Sequence, residues 1–232
     1  PVLANGQRYY YDGFLPQIAP TIEDWSSIIG FHGNAGAWDI DLSNTVGKNS
    51  IWYDIHNTGN ASLAASNNVQ TEFYAGKLSF LQNTANLDVS RKFNFANHNS
   101  MNLAFGGEYR YEQFRINQGE TNSYINGGRI ASVDPIPPYP GTVLYTTFGP
   151  VTPASGSQVF PGFKDVDAIK AKRDIYAGYG DLEFNLGKLL IDAAGRYEIY
   201  KEFQQDYNNL SGKLTGRYEL SRNFAIRGSV SN

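Results

Sequence analysis

Cysteine is absent from the 232 residues, so zinc ribbons, thiol nucleophiles and disulfide frameworks are excluded. Methionine occurs once. Charge is sparse: Asp, Glu, Lys and Arg make up 18% of the chain, and 19 basic against 22 acidic residues leave a net charge of −3. A near-neutral chain does not carry the basic stripe that nucleic acid requires. There is no run of about 18 consecutive apolar residues, which rules out a transmembrane helix. Mean hydropathy is −0.41. That value fits a soluble protein, and it fits a transmembrane β-barrel equally well, because polar lumen positions there alternate with lipid-facing ones.

Aromatic residues and glycine are abundant instead: 16 Tyr, 14 Phe and 24 Gly. They fall into a period of two, the signature of a half-buried strand. From Asn209 to Leu220, the even positions are Leu210, Gly212, Leu214, Gly216, Tyr218 and Leu220. The odd positions are Asn209, Ser211, Lys213, Thr215, Arg217 and Glu219. The same split recurs from Leu189 to Ile199, with Asp192, Arg196 and Glu198 on the polar side. Leu182, Phe184 and Leu186 oppose Asp181 and Glu183; Phe224, Ile226 and Val230 oppose Arg227. Trp38, Ile40 and Leu42 oppose Asp39 and Asp41, and Leu103, Phe105 and Tyr109 oppose Glu108 and Arg110.

This pattern predicts an all-β chain of eight strands, near 25–33, 37–57, 71–93, 101–117, 173–187, 189–203, 207–220 and 224–232. The connections alternate between short and long. Asn34–Gly36, Asn94–Ser100, Gly187–Lys188 and Ser221–Asn223 are short, whereas 58–70 and 118–172 are long and 204–206 is intermediate. Up-and-down outer-membrane barrels have tight periplasmic turns and longer extracellular loops, so the alternation favours an antiparallel transmembrane β-barrel. Gly and Tyr on the apolar face suit a lipid-facing wall with aromatic girdles. A complete eight-stranded outer-membrane barrel with a structural or adhesive role and a soluble β-sandwich binding module give the same period. The chain opens at Pro1 without a Met and closes at Asn232 inside a predicted strand, so it reads as an internal segment of a longer protein.

Residues 118–172 form a long loop rich in proline, with Asp134-Pro-Ile-Pro-Pro-Tyr-Pro140 at its centre. Prolines block strand pairing, and loops of this length are usually functional or disordered. Its stretch from Lys164 to Arg173 is a candidate short helix. Tyr139, Tyr145, Phe160 and Phe163 in this loop, with Tyr9, Tyr10 and Tyr11 in the segment 1–24, are candidate ligand contacts. Each is equally a candidate for packing its loop onto a rim.

No phosphate-binding loop and no nucleophile elbow is present, and His32, His56 and His98 follow no metal spacing. Carboxylates recur on every polar face beside Arg or Lys, as a charge-paired lumen requires, so the chain does not read as an enzyme. The candidate lumen-facing set is Asp39, Asp41, Glu108, Arg110, Asp181, Glu183, Asp192, Arg196, Glu198, Lys213, Arg217, Glu219 and Arg227. No catalytic residue, metal or cofactor is expected.

Several segments resemble TonB-dependent outer-membrane receptors. They are Asn102-Leu-Ala-Phe-Gly-Gly-Glu-Tyr-Arg110, Gln158-Val-Phe-Pro-Gly-Phe163, Ala193-Ala-Gly-Arg-Tyr197, Leu210-Ser-Gly-Lys-Leu-Thr-Gly-Arg-Tyr218 and Phe224-Ala-Ile-Arg-Gly-Ser-Val-Ser231. Arg8-Tyr-Tyr-Tyr-Asp-Gly-Phe-Leu-Pro16 resembles an extracellular loop of the same family. The resemblance implies that residues 1–232 are part of a larger barrel in the bacterial outer membrane, with 1–24 and 118–172 as extracellular loops. It also implies partners outside this segment: a plug domain, the remaining barrel wall, the TonB complex, outer-membrane lipid and a scarce nutrient of the siderophore, cobalamin or glycan class. Nucleic acid is not among them.

Overall fold

The computed structural model describes residues 10, 12–66, 70–96, 99–128, 145–146, 149–150, 153–202 and 205–232. Eight long strands account for most of them: β1 (Gln17–Ala35), β2 (Trp38–His56), β3 (Phe73–Asn94), β4 (Ser100–Asn117), β7 (Ile169–Leu186), β8 (Leu189–Glu202), β9 (Gln205–Ser221) and β10 (Phe224–Ser231). A two-residue pair, β5 (Tyr145–Thr146) and β6 (Gly149–Pro150), lies between β4 and β7. The eight strands hydrogen-bond in the order β1-β2-β3-β4-β7-β8-β9-β10, an up-and-down sheet. β1 and β10 are not neighbours, so the sheet is a partial barrel wall and not a closed eight-stranded barrel. β3 runs for 22 residues and β8 for 14, against the roughly 9–11 that cross a bilayer.

The turns at one end of the strands are tight. Gly36 and Gly187 adopt φ of 64° and 67°, which only glycine takes without cost, and each opens a two-residue link.

Two strand starts differ from the alternation. β1 begins at Gln17, well before residue 25, and so takes in Pro20. β1 has a strand neighbour on one side only, and there the missing N–H of a proline is tolerated. At the other site, only Asp165–Asp167 form a single 3-10 turn, and β7 starts at Ile169 instead of a helix continuing. Ile169-Lys-Ala-Lys172 alternates apolar with charged, a strand period that the mixed charge disguises. Gln17–Asp24 and Ile169–Lys172 therefore belong to strands and not to the loops 1–24 and 118–172.

The chain divides into two compact units. The loop unit comprises Pro1–Asp24, Asn49–Phe80 and Phe114–Lys170; the strand unit comprises Trp25–Lys48, Leu81–Gln113 and Ala171–Asn232. In the strand unit the register puts like against like. Leu182, Ala193, Leu214 and Val230 form one cross-strand row, and Leu186, Leu189, Tyr218 and Ile226 another. Between them runs Phe184, Ile191, Gly216 and Gly228. The other face carries Glu183, Asp192, Thr215 and Ser229 in register.

The apolar face is not covered. Leu42, Leu87, Phe105, Leu182, Leu214 and Ile226 are all exposed. Ile175 is the one buried hydrophobic residue of the strand unit among those described. A soluble sandwich would bury this face in a second layer; among the described residues no second sheet covers it, and an apolar surface of this extent marks a contact with lipid or another protein. The rows also bound it. Going up from Leu186, apolar rows persist to Tyr176–Ile199–Asn208, and the next row is Asp174–Lys201–Asp206. At about 3.3 Å per residue and a tilt of about 40°, the ten or so residues between rise about 25 Å, the height of an outer-membrane apolar band.

One inward device ties three strands together. Tyr179 of β7 lays its ring over Gly106 of β4 and donates its hydroxyl hydrogen to Asp88 of β3. A Cβ on Gly106 would strike the Leu87 carbonyl, the Tyr179 ring and the Asp88 carboxylate. Gly106→Ala is therefore expected to cost about 1–3 kcal/mol of overpacking. In the complete receptor it should lower the heat-modifiable, folded fraction on gels, whereas Gly180→Ala, with open space around it, should not.

Candidate functional site

The loop unit is a knot built around one buried amide. Asn60 is 2% exposed. Its Nδ2 donates to the carbonyls of Asn122 and Ile125, both at 2.9 Å. Its Oδ1 accepts from the Ser62 backbone N–H at 3.1 Å and the Ser62 hydroxyl at 2.6 Å. The Gly127 N–H then donates to Ser62 Oγ at 2.9 Å. One asparagine thus clamps the loop after β2 to the first stretch of the long loop.

The far end of that loop returns to the same place. Asn60 forms an isolated bridge with Ser157. Ser157 and Gly162 both donate backbone N–H groups to the Ser123 carbonyl, at 2.9 and 3.0 Å. Phe163 bonds through its N–H to Ala75 and through its carbonyl to the N–H of Gly119, each at 2.9 Å. The two ends of the loop are therefore stitched to β3 and to each other. Val159 sits at φ 75°, a left-handed conformation that costs a β-branched residue about 1–3 kcal/mol. Thr58 Oγ1, donating to the Gln158 carbonyl at 3.0 Å, and Ser157 Oγ, donating to the Phe160 carbonyl at 2.7 Å, hold it there.

Of the aromatic candidates, Phe160 and Phe163 come together. Their rings meet edge-on at 5.8 Å, and Phe160 stacks on Tyr53 of β2 at 5.2 Å. Both are half-buried packing residues with one side open. Tyr10 stacks on Phe14 at 4.6 Å and donates to the Thr58 carbonyl at 2.9 Å. Burial pushes its phenol above the usual pKa. Tyr9, Tyr11 and Tyr139 lie outside the described residues, as does the side chain of Tyr145. Asn60 and Ser62 escaped the sequence reading. A lone Asn before a run of Ala and Ser carries no pattern; only the fold shows its four hydrogen bonds.

The charged face of the strand unit is a chain of pairs. Arg196 of β8 donates to Glu198 at 2.9 and 3.0 Å and reaches Glu108 of β4 at 3.3 Å. Arg110 lies 3.4 Å from Glu108 and 3.7 Å from Glu112, and Arg173 donates to Glu112 at 2.9 Å. Tyr200 caps Glu198 at 3.0 Å. Lys213 pairs with Asp192 at 2.7 Å, and Arg217 with Glu219 at 2.7 Å. Asp39 accepts from His32 at 2.7 Å, with Asp41 two residues on. Glu183 lies opposite Asp192, and Arg227 opposite Arg217. Asp181 is on the same face, two residues from Glu183. Arg196 crosses β7 to reach β4, and the small Ala177, opposite Glu198, leaves the space. Glu112 was legible from parity, since it alternates with Tyr111; Arg173 was hidden at the end of the loop.

No nucleophile with an aligned base stands on this face, and the described residues contain no cluster of three metal-ligating side chains. What the arrangement does is present paired charges on one side and apolar surface on the other. A family model described as TonB dependent receptor-like, beta-barrel matches residues 3–232. The chain belongs to that family. No curated protein matches it in sequence. TonB-dependent receptors are receptors and transporters of the bacterial outer membrane, and not an enzyme family. The segment is thus a stretch of receptor barrel, and the exposed apolar rows are its wall.

Removing the Asn60 side chain should loosen the knot without touching the strand unit. Asn60→Ala orphans the Ser62 N–H and the Asn122 carbonyl, while Ser62 Oγ can still reach the Ile125 carbonyl, at about 1–3 kcal/mol for each group left unsatisfied. Hydrogen exchange at 119–127 should accelerate at least about tenfold, with strand amides of β8 and β9 unchanged.

Proposed function

We propose that this segment forms part of the wall and outer mouth of a receptor that takes up a scarce nutrient, of the siderophore, cobalamin or glycan class, by TonB-driven transport. The observation that carries the reading is the asymmetry of the sheet: an exposed apolar face about 25 Å high backed by a face of ion pairs. In a barrel in the outer membrane the first face meets lipid. The second lines the lumen against a plug domain, so Asp39, Asp41, Glu108, Arg110, Asp181, Glu183, Asp192, Arg196, Glu198, Lys213, Arg217, Glu219 and Arg227 face inward.

The tight links, two residues at Gly36 and Gly187, then face the periplasm, and the long links after β2 and β4 face outside. Segment 1–16 and the long loop contribute Tyr9, Tyr10, Tyr11, Tyr139, Tyr145, Phe160 and Phe163 to the mouth. The stitching of 119–127 to 157–163 gives a rigid base from which 129–152 departs, a base that supports ligand contact at low ordering cost. The remaining wall, the plug and TonB are partners supplied outside this segment.

Replacing 130–152 by a short Gly-Ser linker in the complete receptor spares every hydrogen bond of the knot. Ligand uptake is expected to fall at least about tenfold, the loss of about 1.4 kcal/mol of binding, while heat-modifiable folding is retained. Unchanged uptake would remove the loop from the ligand mouth, and loss of folding would make it structural.

A further inference from the structure

One cation stands on the wrong face. In β3, Leu87, Val89, Arg91 and Phe93 share the apolar side. The guanidinium of Arg91 lies 4.6 Å from the ring centre of Phe93 and 5.4 Å from that of Trp38. Trp38 in turn meets Phe93 edge-on at 6.4 Å and Phe105 at 5.8 Å. Arg110, Arg173, Arg196 and Arg217 each pair with a glutamate on the charged face. Arg91 makes no ion pair among the described residues, and its Nε is enclosed without a hydrogen-bond partner. Two aromatic faces are all that the protein gives it.

An ionised group on a lipid-facing surface is costly unless a counter-charge meets it. Its depth says which one. Arg91 is three residues from the end of β3, and Trp38 is the first residue of β2, so the cluster lies at the tight-link end of the strands. There the apolar band gives way to headgroups, and aromatic girdles sit. The aromatic platform seats the guanidinium by cation–π attraction. Only Nε is enclosed, which leaves the fork of the two Nη groups for an anion of matching geometry. A phosphodiester takes such a fork with two parallel hydrogen bonds.

We propose that Arg91, seated on Trp38 and Phe93, is a binding site for the phosphate group of a membrane phospholipid in the inner leaflet of the outer membrane. The site rests on the membrane reading above. It gives the barrel a fixed point against vertical and lateral slip, at a position unconnected with ligand uptake.

The test is phospholipid retention. The complete receptor is extracted in mild detergent, and bound phospholipid is counted by native mass spectrometry. Wild type should retain phospholipid, and Arg91→Gln should lose about tenfold, as expected for one charged hydrogen-bonded contact. Arg91→Lys keeps the charge but not the fork and should lose about threefold. Lys92→Gln, at the exposed neighbour on the opposite face, should match wild type. Equal retention in wild type and Arg91→Gln overturns the site, as does an equal loss in Lys92→Gln. If Arg91→Gln does not assemble, unchanged retention in Arg91→Lys overturns it alone. Inorganic phosphate should not displace the lipid; displacement would mark a free-anion site instead. A wild type recovered from the soluble fraction would overturn the membrane reading itself, an outcome distinct from a membrane-inserted receptor that binds no lipid.

Discussion

Lipid offers no hydrogen bonds, so every backbone N–H and C=O that faces it must find a partner in the next strand. The eight-stranded ladder meets that demand from β2 to β9, and each residue of β8 in register has a partner on both sides. Everything else in the strand unit follows from keeping the ladder unbroken over its length. Register must be held, because a slip of one residue would turn Asp192 and Lys213 onto the apolar face and Leu214 onto the charged one. Rows of like residues hold it from one side, and ion pairs such as Arg196–Glu108 and Lys213–Asp192 hold it from the other.

The same demand explains β1 and β10. Each has a strand on one side only, and each leaves a row of amides without a partner among the described strands. Such edges are a hazard in water and untenable in lipid. In the proposed receptor, the remaining barrel wall would satisfy them. In the middle of the sheet, by contrast, side chains add to the ladder: the Tyr179 ring fills the space above Gly106 while its hydroxyl ties to Asp88, a single residue spanning three strands.

The loop unit obeys a different rule. Where water can satisfy the backbone, loops are free to leave the ladder. They are nevertheless drawn into a knot by buried polar groups, Asn60, Ser62, Ser123 and Ser157, beside buried Ile55, Phe73 and Ala75. Such a network is rigid when complete and fails when one member is lost. The strained Val159 survives only because Thr58 and Ser157 bracket it.

Period-two alternation was enough to determine the strands, the two faces and the order of short and long links. Each is a local property of a chain whose side chains alternate by backbone geometry alone. It misplaced two strand starts: Pro20 is harmless only on a strand with one neighbour, and no run of residues reveals its own neighbours. Tertiary structure decided the rest. Arg196 meeting Glu108 across Ala177, Asn60 gathering three distant segments, and Arg91 left with aromatic faces and no carboxylate all depend on residues tens of positions apart. Their encounters are set by strand order and register, and those exist only once the ladder has formed.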